Sequence, residues 1–254
     1  MSVTSFRIAT YNLQKCVGLD LRRRPDRSLQ VINALGADLV VLQEADKRLP
    51  PRPAALPHDM PEEDGWHILP FGAPGGSLGW HGNAILLRKG LAGRVVDRLD
   101  LPGLEPRGAV VAEIDGLRVV GTHLGLRRRD RRRQLAHIRA ALEAHAPMAT
   151  AIIGDFNEWA LATGLEPLAG LYTVHSPGKS FHAARPVAAL DRVALSQGLE
   201  LADAGVSQGP VAAIASDHLP VWASIRPDPG QVGASGDHRA GRSVLPGRRD
   251  AGSS

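Results

Sequence analysis

The sequence predicts one α/β domain, in which short buried strands are joined by loops and by two amphipathic helices. Apolar segments are spread evenly along the 254 residues, which favours one large domain over two small ones. Short runs rich in β-branched residues, such as residues 39–42 and 149–153, are typical of buried strands. Apolar residues at helical spacing predict one helix from residue 28 to about residue 35 and another that opens with residues 127–133.

Alternating apolar and polar residues predict the remaining strands, and glycine and proline predict the breaks between them. Residues 48–62 are rich in proline and residues 71–82 in glycine, which predicts loops over the surface. Further strands are predicted at residues 6–11, 66–69, 84–87, 95–99, 109–114, 117–122, 187–195 and 221–225.

Composition narrows the class of protein. The single cysteine, Cys16, excludes an internal disulfide framework. No transmembrane stretch and no signal peptide are found, so we expect a cytoplasmic protein, and we expect it to be a monomer. The net charge of +4 is a weak sign of anionic partners, since half of it comes from the residues after Ile225. We expect a folded domain over residues 1–226 and a disordered tail, rich in glycine, arginine and serine, over residues 227–254.

Polar side chains stand at the ends of many predicted strands. Because functional side chains are often presented on loops by a rigid scaffold, so many strand ends of this kind predict one shared site. The residues concerned are Asn12, Glu44, His123, Asp155 with Asn157, Asp191, and Asp217 with His218.

The segment from Ala149 to Trp159 contains the densest signal. Gly154 breaks a buried strand, and Asp155 and Asn157 follow it two positions apart. If the chain stays extended, both side chains point the same way and form a catalytic pair. An Asx turn that closes the strand is an equally good interpretation of this segment alone.

Oxygen ligands dominate the candidate metal site. Glu44 and Asp217 are hard donors suited to Mg²⁺ or Mn²⁺, and Asn12 can add a carbonyl oxygen. Zinc is disfavoured, because there is one cysteine and no closely paired histidine motif. His218, with Asp191 as its carboxylate partner, suggests an imidazole whose tautomer and charge are fixed by an acid.

Six short motifs occur in one order along the chain: Thr10-Tyr11-Asn12, Leu42-Gln43-Glu44, Thr122-His123-Leu124, Gly154-Asp155-Phe156-Asn157, Leu190-Asp191-Arg192 and Ser216-Asp217-His218. This series resembles that of the endonuclease/exonuclease/phosphatase superfamily, the DNase I-like metal-dependent phosphodiesterases. The resemblance extends from Phe6 to Ile225. It implies a four-layer α/β sandwich, in which two mostly antiparallel sheets pack face to face with helices outside.

The resemblance also implies a metal site and a base. Glu44, with Asn12 and Asp217, would hold one or two Mg²⁺ or Mn²⁺ ions. Asp155 would orient or deprotonate the attacking water, and Asn157 would stabilise the transition state. Such an arrangement catalyses in-line displacement at phosphorus.

The same resemblance assigns the imidazole groups. His218, supported by Asp191, would act on the phosphoryl group, and His123 would contact a non-bridging oxygen. Glu44→Ala and His218→Ala are each expected to abolish metal-dependent phosphodiesterase activity.

The sequence signals for substrate-binding residues are less specific than those for the metal site. Asn83, in a segment common in the superfamily, is expected to line the cleft, and Arg107 is expected to hold a phosphate. Arg127 and Arg128 open an arginine-rich run that favours a polyanion, either nucleic acid or an anionic lipid headgroup, although such runs are often only solvated helix faces.

Several functions stay open at this point. A DNA or RNA nuclease is the leading candidate, and a phospholipid- or sphingomyelin-type phosphodiesterase or a phosphatase is the alternative. A catalytically idle nucleic-acid-binding domain is the alternative of another class. Aromatic residues make up only 4% of the chain, so base-stacking platforms are scarce. Ala189 and Leu190 replace the tryptophan and cysteine of inositol polyphosphate phosphatases, which argues against that branch.

Overall fold

The computed structural model describes residues 5–47, 51–72, 76–161 and 163–228. Four α-helices are assigned within these ranges: α1 (Pro25–Ala34), α2 (Asp59–Glu63), α3 (Arg128–Glu143) and α4 (Ala212–Ala215). The strands are β1 (Phe6–Asn12), β2 (Leu39–Gln43), β3 (Trp66–Ile68), β4 (Ala84–Arg88), β5 (Gly93–Leu101), β6 (Arg107–Ile114), β7 (Leu117–His123), β8 (Thr150–Asp155), β9 (Tyr172–His175), β10 (Asp191–Ser196), β11 (Leu199–Val206) and β12 (Val221–Pro227).

The strands form two six-stranded sheets. The first has the order β11-β12-β1-β2-β4-β3 and the second β5-β6-β7-β8-β10-β9. Each sheet contains one parallel pair, β1 with β2 and β7 with β8, and the other neighbours are antiparallel. The predicted mostly antiparallel arrangement is therefore confirmed.

Alternating side chains on the strands separate three apolar clusters. Between the sheets, Ile8 and Val41 of the first sheet pack with Val119 and Ile153 of the second. Their strand neighbours face outward, where the first sheet is covered by α1 and α4 and the second by α3. The result is helix, sheet, sheet and helix, which is the predicted four-layer α/β sandwich.

The two parallel pairs explain where the polar strand ends meet. Helix α1 connects β1 to β2, and α3 connects β7 to β8, as parallel strands require. Carboxyl ends of parallel strands share one edge of a sheet, and ligands bind outside such ends in open α/β sheets. Asn12 and Glu44 from the first sheet, and His123 and Asp155 from the second, thus reach the same edge of the sandwich.

Gly154 allows β7 and β8 to approach closely at that edge. Its φ of +153° is rarely adopted by other residues, and a Cβ there would lie 1.9 Å from the carbonyl oxygen of Thr122. Thr122 is its register partner, and the next pair along the ladder is His123 with Asp155. The glycine therefore sets the separation between two site residues.

Some sequence predictions were wrong. The strand predicted at residues 187–195 begins only at Asp191, because residues 187–190 belong to the connection that precedes it. Strands β9 and β11 were not predicted, since their residues are half exposed and lack a continuous apolar run. Helices α2 and α4 were missed because each is only about one turn long.

Strand β12 continues to Pro227, the first residue of the predicted tail. Residues 229–254, most of that tail, lie outside the described residues. Within the described residues, no helix has the length and apolar character that crossing a membrane would need.

Gly154→Ala should destabilise the fold. The added methyl group meets a backbone carbonyl, so we expect the free energy of unfolding to fall by at least about 2 kcal/mol. Urea denaturation followed by circular dichroism measures this change. The matched control is Gly209→Ala, where nothing lies within 4 Å of the new Cβ, and its stability should change by no more than about 0.5 kcal/mol. Equal stability of the two variants would contradict the prediction.

Candidate active site

A buried carboxylate joins the two sheets. Asp155 Oδ2 lies 3.2 Å from Asn12 Nδ2, 3.3 Å from His123 Nε2 and 3.6 Å from His218 Nε2. Asn12 and His218 belong to the first sheet's edge, whereas Asp155 and His123 belong to the second. One oxygen atom therefore gathers nitrogen donors from both halves of the sandwich.

His218 connects that carboxylate to a second one. Its Nδ1 lies 2.9 Å from Asp191 Oδ2, which also accepts a 2.5 Å hydrogen bond from the hydroxyl of Ser180. The Phe181 ring packs on the other side, with its centroid 5.0 Å from that of the imidazole. The contact between Asp191 and His218 that the sequence suggested is thus present, and it fixes the orientation of the ring.

The charges in this chain are set by burial and by one another. Burial alone would lower the pKa of His218, but the carboxylates of Asp191 and Asp155 outweigh it and raise the pKa to about 10. Burial raises the pKa of Asp155 to about 6, which the positive charge of His218 partly opposes. At neutral pH the imidazole is therefore cationic and lies between two carboxylates.

His123 has the opposite character. Burial lowers its pKa well below the usual value, and the positive charges of Arg107 and His218 lower it further. The ring is neutral at pH 7, so it lies 3.3 Å from Asp155 Oδ2 without adding charge to the site.

Asp155 and Asn157 do not form the extended pair that one interpretation required. Asn157 has a left-handed φ of 51°, and its backbone N–H donates to Asp155 Oδ1 at 2.9 Å. The segment is therefore an Asx turn. The turn uses Oδ1 and leaves Oδ2 for the site, while the Asn157 carboxamide donates to the carbonyl of Leu124 at 2.9 Å.

Glu44 lies in a neighbouring cleft of about 520 Å³. Its carboxylate pairs with the ammonium group of Lys15, and both residues have left-handed backbones, with φ of 50° and 59°. His123 and Arg107 also line this cleft, and the Arg107 guanidinium pairs with Glu105 at 2.9 Å. The remaining lining residues are Asp46, Lys47, Arg52, His81, Gly82, Pro106 and Leu126.

Asp217 lies on the other side of Asn12. The Ser216 hydroxyl donates to the carbonyl of Asn12 at 2.7 Å, and the Asp217 N–H donates to Gln14 Oε1 at 3.1 Å. Asp217 is half-buried and is not among the residues that line the Glu44 cleft. Neither Asn12 nor Asp217 thus lines the cleft that contains Glu44, and their joint binding of a metal ion stays a prediction.

Three predicted substrate contacts are placed elsewhere. Asn83 is fully buried, and its amide nitrogen donates to the carbonyls of Gly108 and Trp80, so it secures the cleft wall instead of lining it. Arg128 is held by the buried carboxylate of Glu158 at 2.9 Å. Arg127 is exposed beside the start of α3, and neither arginine lines the Glu44 cleft.

A family model described as the Endonuclease/Exonuclease/phosphatase family matches residues 9–218, which include every predicted strand-end residue. The chain belongs to this family. A search of curated proteins gives no match. Endonuclease/exonuclease/phosphatase proteins are generally hydrolytic phosphoesterases and typically use a divalent metal ion.

Solved structures of this family share the fold. An endonuclease/exonuclease/phosphatase from Beutenbergia cavernae is 21% identical with a TM-score of 0.65, over 88% of this chain and 72% of that one. A family protein from Bacteroides thetaiotaomicron is 17% identical with a TM-score of 0.70, over 89% and 98% of the two chains. D. rerio TDP2, complexed with single-strand DNA product, is 14% identical with a TM-score of 0.64, over 88% and 100%.

Within the described residues of this endonuclease/exonuclease/phosphatase family member, one group of three side chains and the single carboxylate of Glu44 offer ligand atoms to a metal ion. Ligand atoms of Asp155, Asp191 and His218 lie within 4.8 Å of one another. In that group, however, both imidazole nitrogens already face carboxylates, at 2.9 and 3.6 Å. Glu44 instead opens into the cleft and already attracts a cation, Lys15.

The candidate site also includes residues that the sequence did not reveal. Lys15 follows Asn12 by three positions but carries no motif of its own, and only the left-handed turn from Gln14 to Cys16 brings it to Glu44. Ser180 and Phe181 come from a connection with no strand pattern. Their proximity to Asp191 and His218 could be found only from the fold.

Asp191→Asn should lower the pKa of His218. Removing the nearest negative charge deprives the imidazolium of its main partner, so the pKa should fall by roughly one to three pH units. Imidazole NMR titration of the wild type and the variant measures the change, and Asp203→Asn, at an exposed strand position, is the control. An unchanged His218 titration in Asp191→Asn would contradict the assigned contact.

The same shift predicts how stability depends on pH. The folded pKa of about 10 lies above the ordinary value of 6.5, so the imidazolium contributes its full stabilisation below about pH 6.5. That contribution should disappear as the pH rises through 10. Denaturation curves between pH 6.5 and pH 10 should show a smaller loss of unfolding free energy for Asp191→Asn than for the wild type. Equal losses in the two proteins would contradict the prediction.

Proposed function

We propose that this protein is a Mg²⁺- or Mn²⁺-dependent phosphodiesterase that hydrolyses a phosphodiester bond by in-line attack of water. The observation that carries the proposal is the meeting of Asn12, His123 and His218 nitrogens at Asp155 Oδ2, beside the cleft that contains Glu44. A carboxylate, a cationic imidazole and a neutral imidazole at one point are the groups that proton transfer and charge stabilisation at phosphorus need.

Asp155 is the group that orients and deprotonates the water. Its pKa of about 6 makes it a carboxylate at neutral pH that still accepts a proton readily. Asn12 and the Asx turn with Asn157 hold the carboxylate in place. The Asx turn gives Asn157 a positioning role at this carboxylate.

His218 and His123 contact the phosphoryl group. His218 is cationic, with Asp191 and Ser180 behind it, and therefore stabilises negative charge that develops on the phosphoryl oxygens. Neutral His123 lines the cleft and donates a hydrogen bond to a non-bridging oxygen. Arg107, on the same cleft, adds a cation for the phosphate.

Glu44 and the side-chain carbonyl oxygen of Asn12 would hold the divalent metal, with Asp217 as the more distant candidate. The bound ion would polarise a phosphoryl oxygen and stabilise the leaving oxygen. Lys15 pairs with Glu44, so a bound ion would compete with its ammonium group for that carboxylate.

A nuclease is the first candidate activity. The support is a structural neighbour, D. rerio TDP2, that was solved with single-strand DNA product, together with the net positive charge of this chain. A panel of plasmid DNA, single-stranded RNA, sphingomyelin and phosphoinositides, each with Mg²⁺ or Mn²⁺, separates the candidates. Absence of turnover on all of them and on bis-p-nitrophenyl phosphate would favour an idle binding domain.

Glu44→Ala and His218→Ala should each remove hydrolysis of bis-p-nitrophenyl phosphate. Loss of a positioned acid or base typically costs roughly 10²–10⁴-fold in rate, and we expect His218→Ala to fall in that range with its fold intact. Glu143→Ala, at the exposed end of α3, is the control and should keep the wild-type rate. Full turnover by either site variant would refute the proposed mechanism.

Direct metal binding distinguishes the two candidate metal groups. Mn²⁺ titration followed by electron paramagnetic resonance should show at least about tenfold weaker binding in Glu44→Gln, because the variant loses the anionic ligand. Asp191→Asn should bind Mn²⁺ with nearly the wild-type affinity. The reverse order of affinities would place the ion among Asp155, Asp191 and His218 instead.

A further inference from the structure

Exposed hydrophobic side chains are concentrated around the mouth of the site. Eight large hydrophobic side chains are exposed in the described part of the chain. Only Leu171 lies at the opposite edge of the sandwich, before β9. The other seven lie between strands at the site edge, six of them in loops and Ile214 in α4: Leu21, Leu104, Leu126, Trp159, Leu161, Val187 and Ile214. Scattered exposed residues are ordinary, but a set gathered at one edge indicates a binding surface.

Trp159 and Val187 flank His218. Trp159 is 61% exposed. Its ring packs edge-to-face on the ring of Phe181, with 6.1 Å between the ring centroids. Phe181 in turn contacts the His218 ring, and its carbonyl accepts the Val187 N–H at 2.7 Å. These two exposed apolar side chains are therefore one residue away from the proposed catalytic imidazole.

Two further pairs surround the site. Leu126 lines the Glu44 cleft, and its N–H donates to Glu105, the residue that follows Leu104. Across the site, the carbonyl of Ile214 accepts the N–H of Leu19, two residues before Leu21. The exposed apolar residues thus fall into three groups at the site edge. We call the seven residues the apolar rim.

Cations are interspersed with the apolar rim. Carboxylates at this edge are largely paired, as in Asp20 with Arg27, Asp26 with Arg24 and Glu158 with Arg128. Several cations there have no carboxylate at ion-pair distance among the described residues: Arg22, Arg23, Arg127, Arg129, Lys179 and Arg185. The edge therefore combines exposed hydrocarbon with excess positive charge.

We propose that the apolar rim docks on an anionic lipid surface, with the site mouth facing the bilayer. Leucine, valine and isoleucine gain free energy by entering the acyl boundary, and arginines by contacting acidic headgroups. Nucleic acid would satisfy the arginines but would leave the aliphatic side chains in water, and Trp159 is the one exposed aromatic residue in the described set of large hydrophobics. An anionic lipid surface is the partner that would contact both the exposed aliphatic side chains and the arginines.

This inference concerns docking and goes beyond the proposed hydrolysis. Binding to vesicles in EDTA requires no metal and no turnover. Glu44→Ala, which should abolish hydrolysis, should therefore still bind vesicles. A Glu44→Ala variant that loses activity but still binds vesicles would contradict neither the docking proposal nor the proposed hydrolysis. The two proposals can therefore fail separately.

Trp159 supplies a direct probe. The other tryptophans, Trp66, Trp80 and Trp222, are buried or half-buried. In EDTA, vesicles of equal parts phosphatidylcholine and phosphatidylglycerol should shift the emission of the wild type to the blue, and brominated lipid should quench it. Trp159→Phe should lose both signals. Flotation of the protein with the same vesicles gives the bound fraction.

Matched variants test the rim. The triple variant Leu21→Ser, Trp159→Ser and Val187→Ser should bind these vesicles at least about tenfold more weakly, because each serine removes apolar area from the lipid contact. Leu171→Ser, at the opposite edge, is the control and should bind as the wild type does. Thermal unfolding verifies that the triple variant is folded.

Three results would overturn the proposal. The first is wild-type protein that does not float with anionic vesicles, whether or not it binds plasmid DNA. The second is a folded triple variant that binds as tightly as the wild type. The third is equal binding to pure phosphatidylcholine, which would remove the role of the arginines.

Discussion

The hydrogen bond between Asn12 and Asp155 is the constraint on which the site depends. It joins the last residue of β1 to the last residue of β8, and so fixes one sheet against the other at their shared edge. A fully buried carboxylate is costly without such partners. Because the partners come from both sheets, the carboxylate is satisfied only when the sandwich is correctly closed.

Unusual backbone conformations are concentrated at the same edge. Gln14, Lys15, Cys16, Glu44 and Asn157 all have positive φ without being glycine, at roughly 1–3 kcal/mol each. Hydrogen bonds retain them: Leu13 N–H donates to the carbonyl of Gln43, and Lys15 N–H to that of Glu44. The strain therefore belongs to the part of the fold that presents charged groups to the cleft.

Sequence reasoning located most of the buried strands and the residues at their ends, because buried strands have a strong apolar signal, whereas the sandwich arrangement followed from the family resemblance. Asp155, His123 and Asn12 follow such runs directly, and the fold brings them together. Residues on half-exposed or irregular segments were not found, as with Ser180 and Lys15, since no periodicity marks a connection. Asn83 was misplaced because a motif gives position along the chain and not the direction of a side chain.

The position of β12 has a consequence for how the protein reaches its working form. This strand pairs with β1, and the Ser216 hydroxyl bonds to the Asn12 carbonyl across 204 positions of sequence. Contacts of such long range form late, because the chain entropy between them must first be lost. During synthesis on a ribosome, β1 can pair with β12 only after nearly all of the domain has emerged. His218 lies just before that strand, so its contacts with Asp155 and Asp191 are among the last to form in the domain.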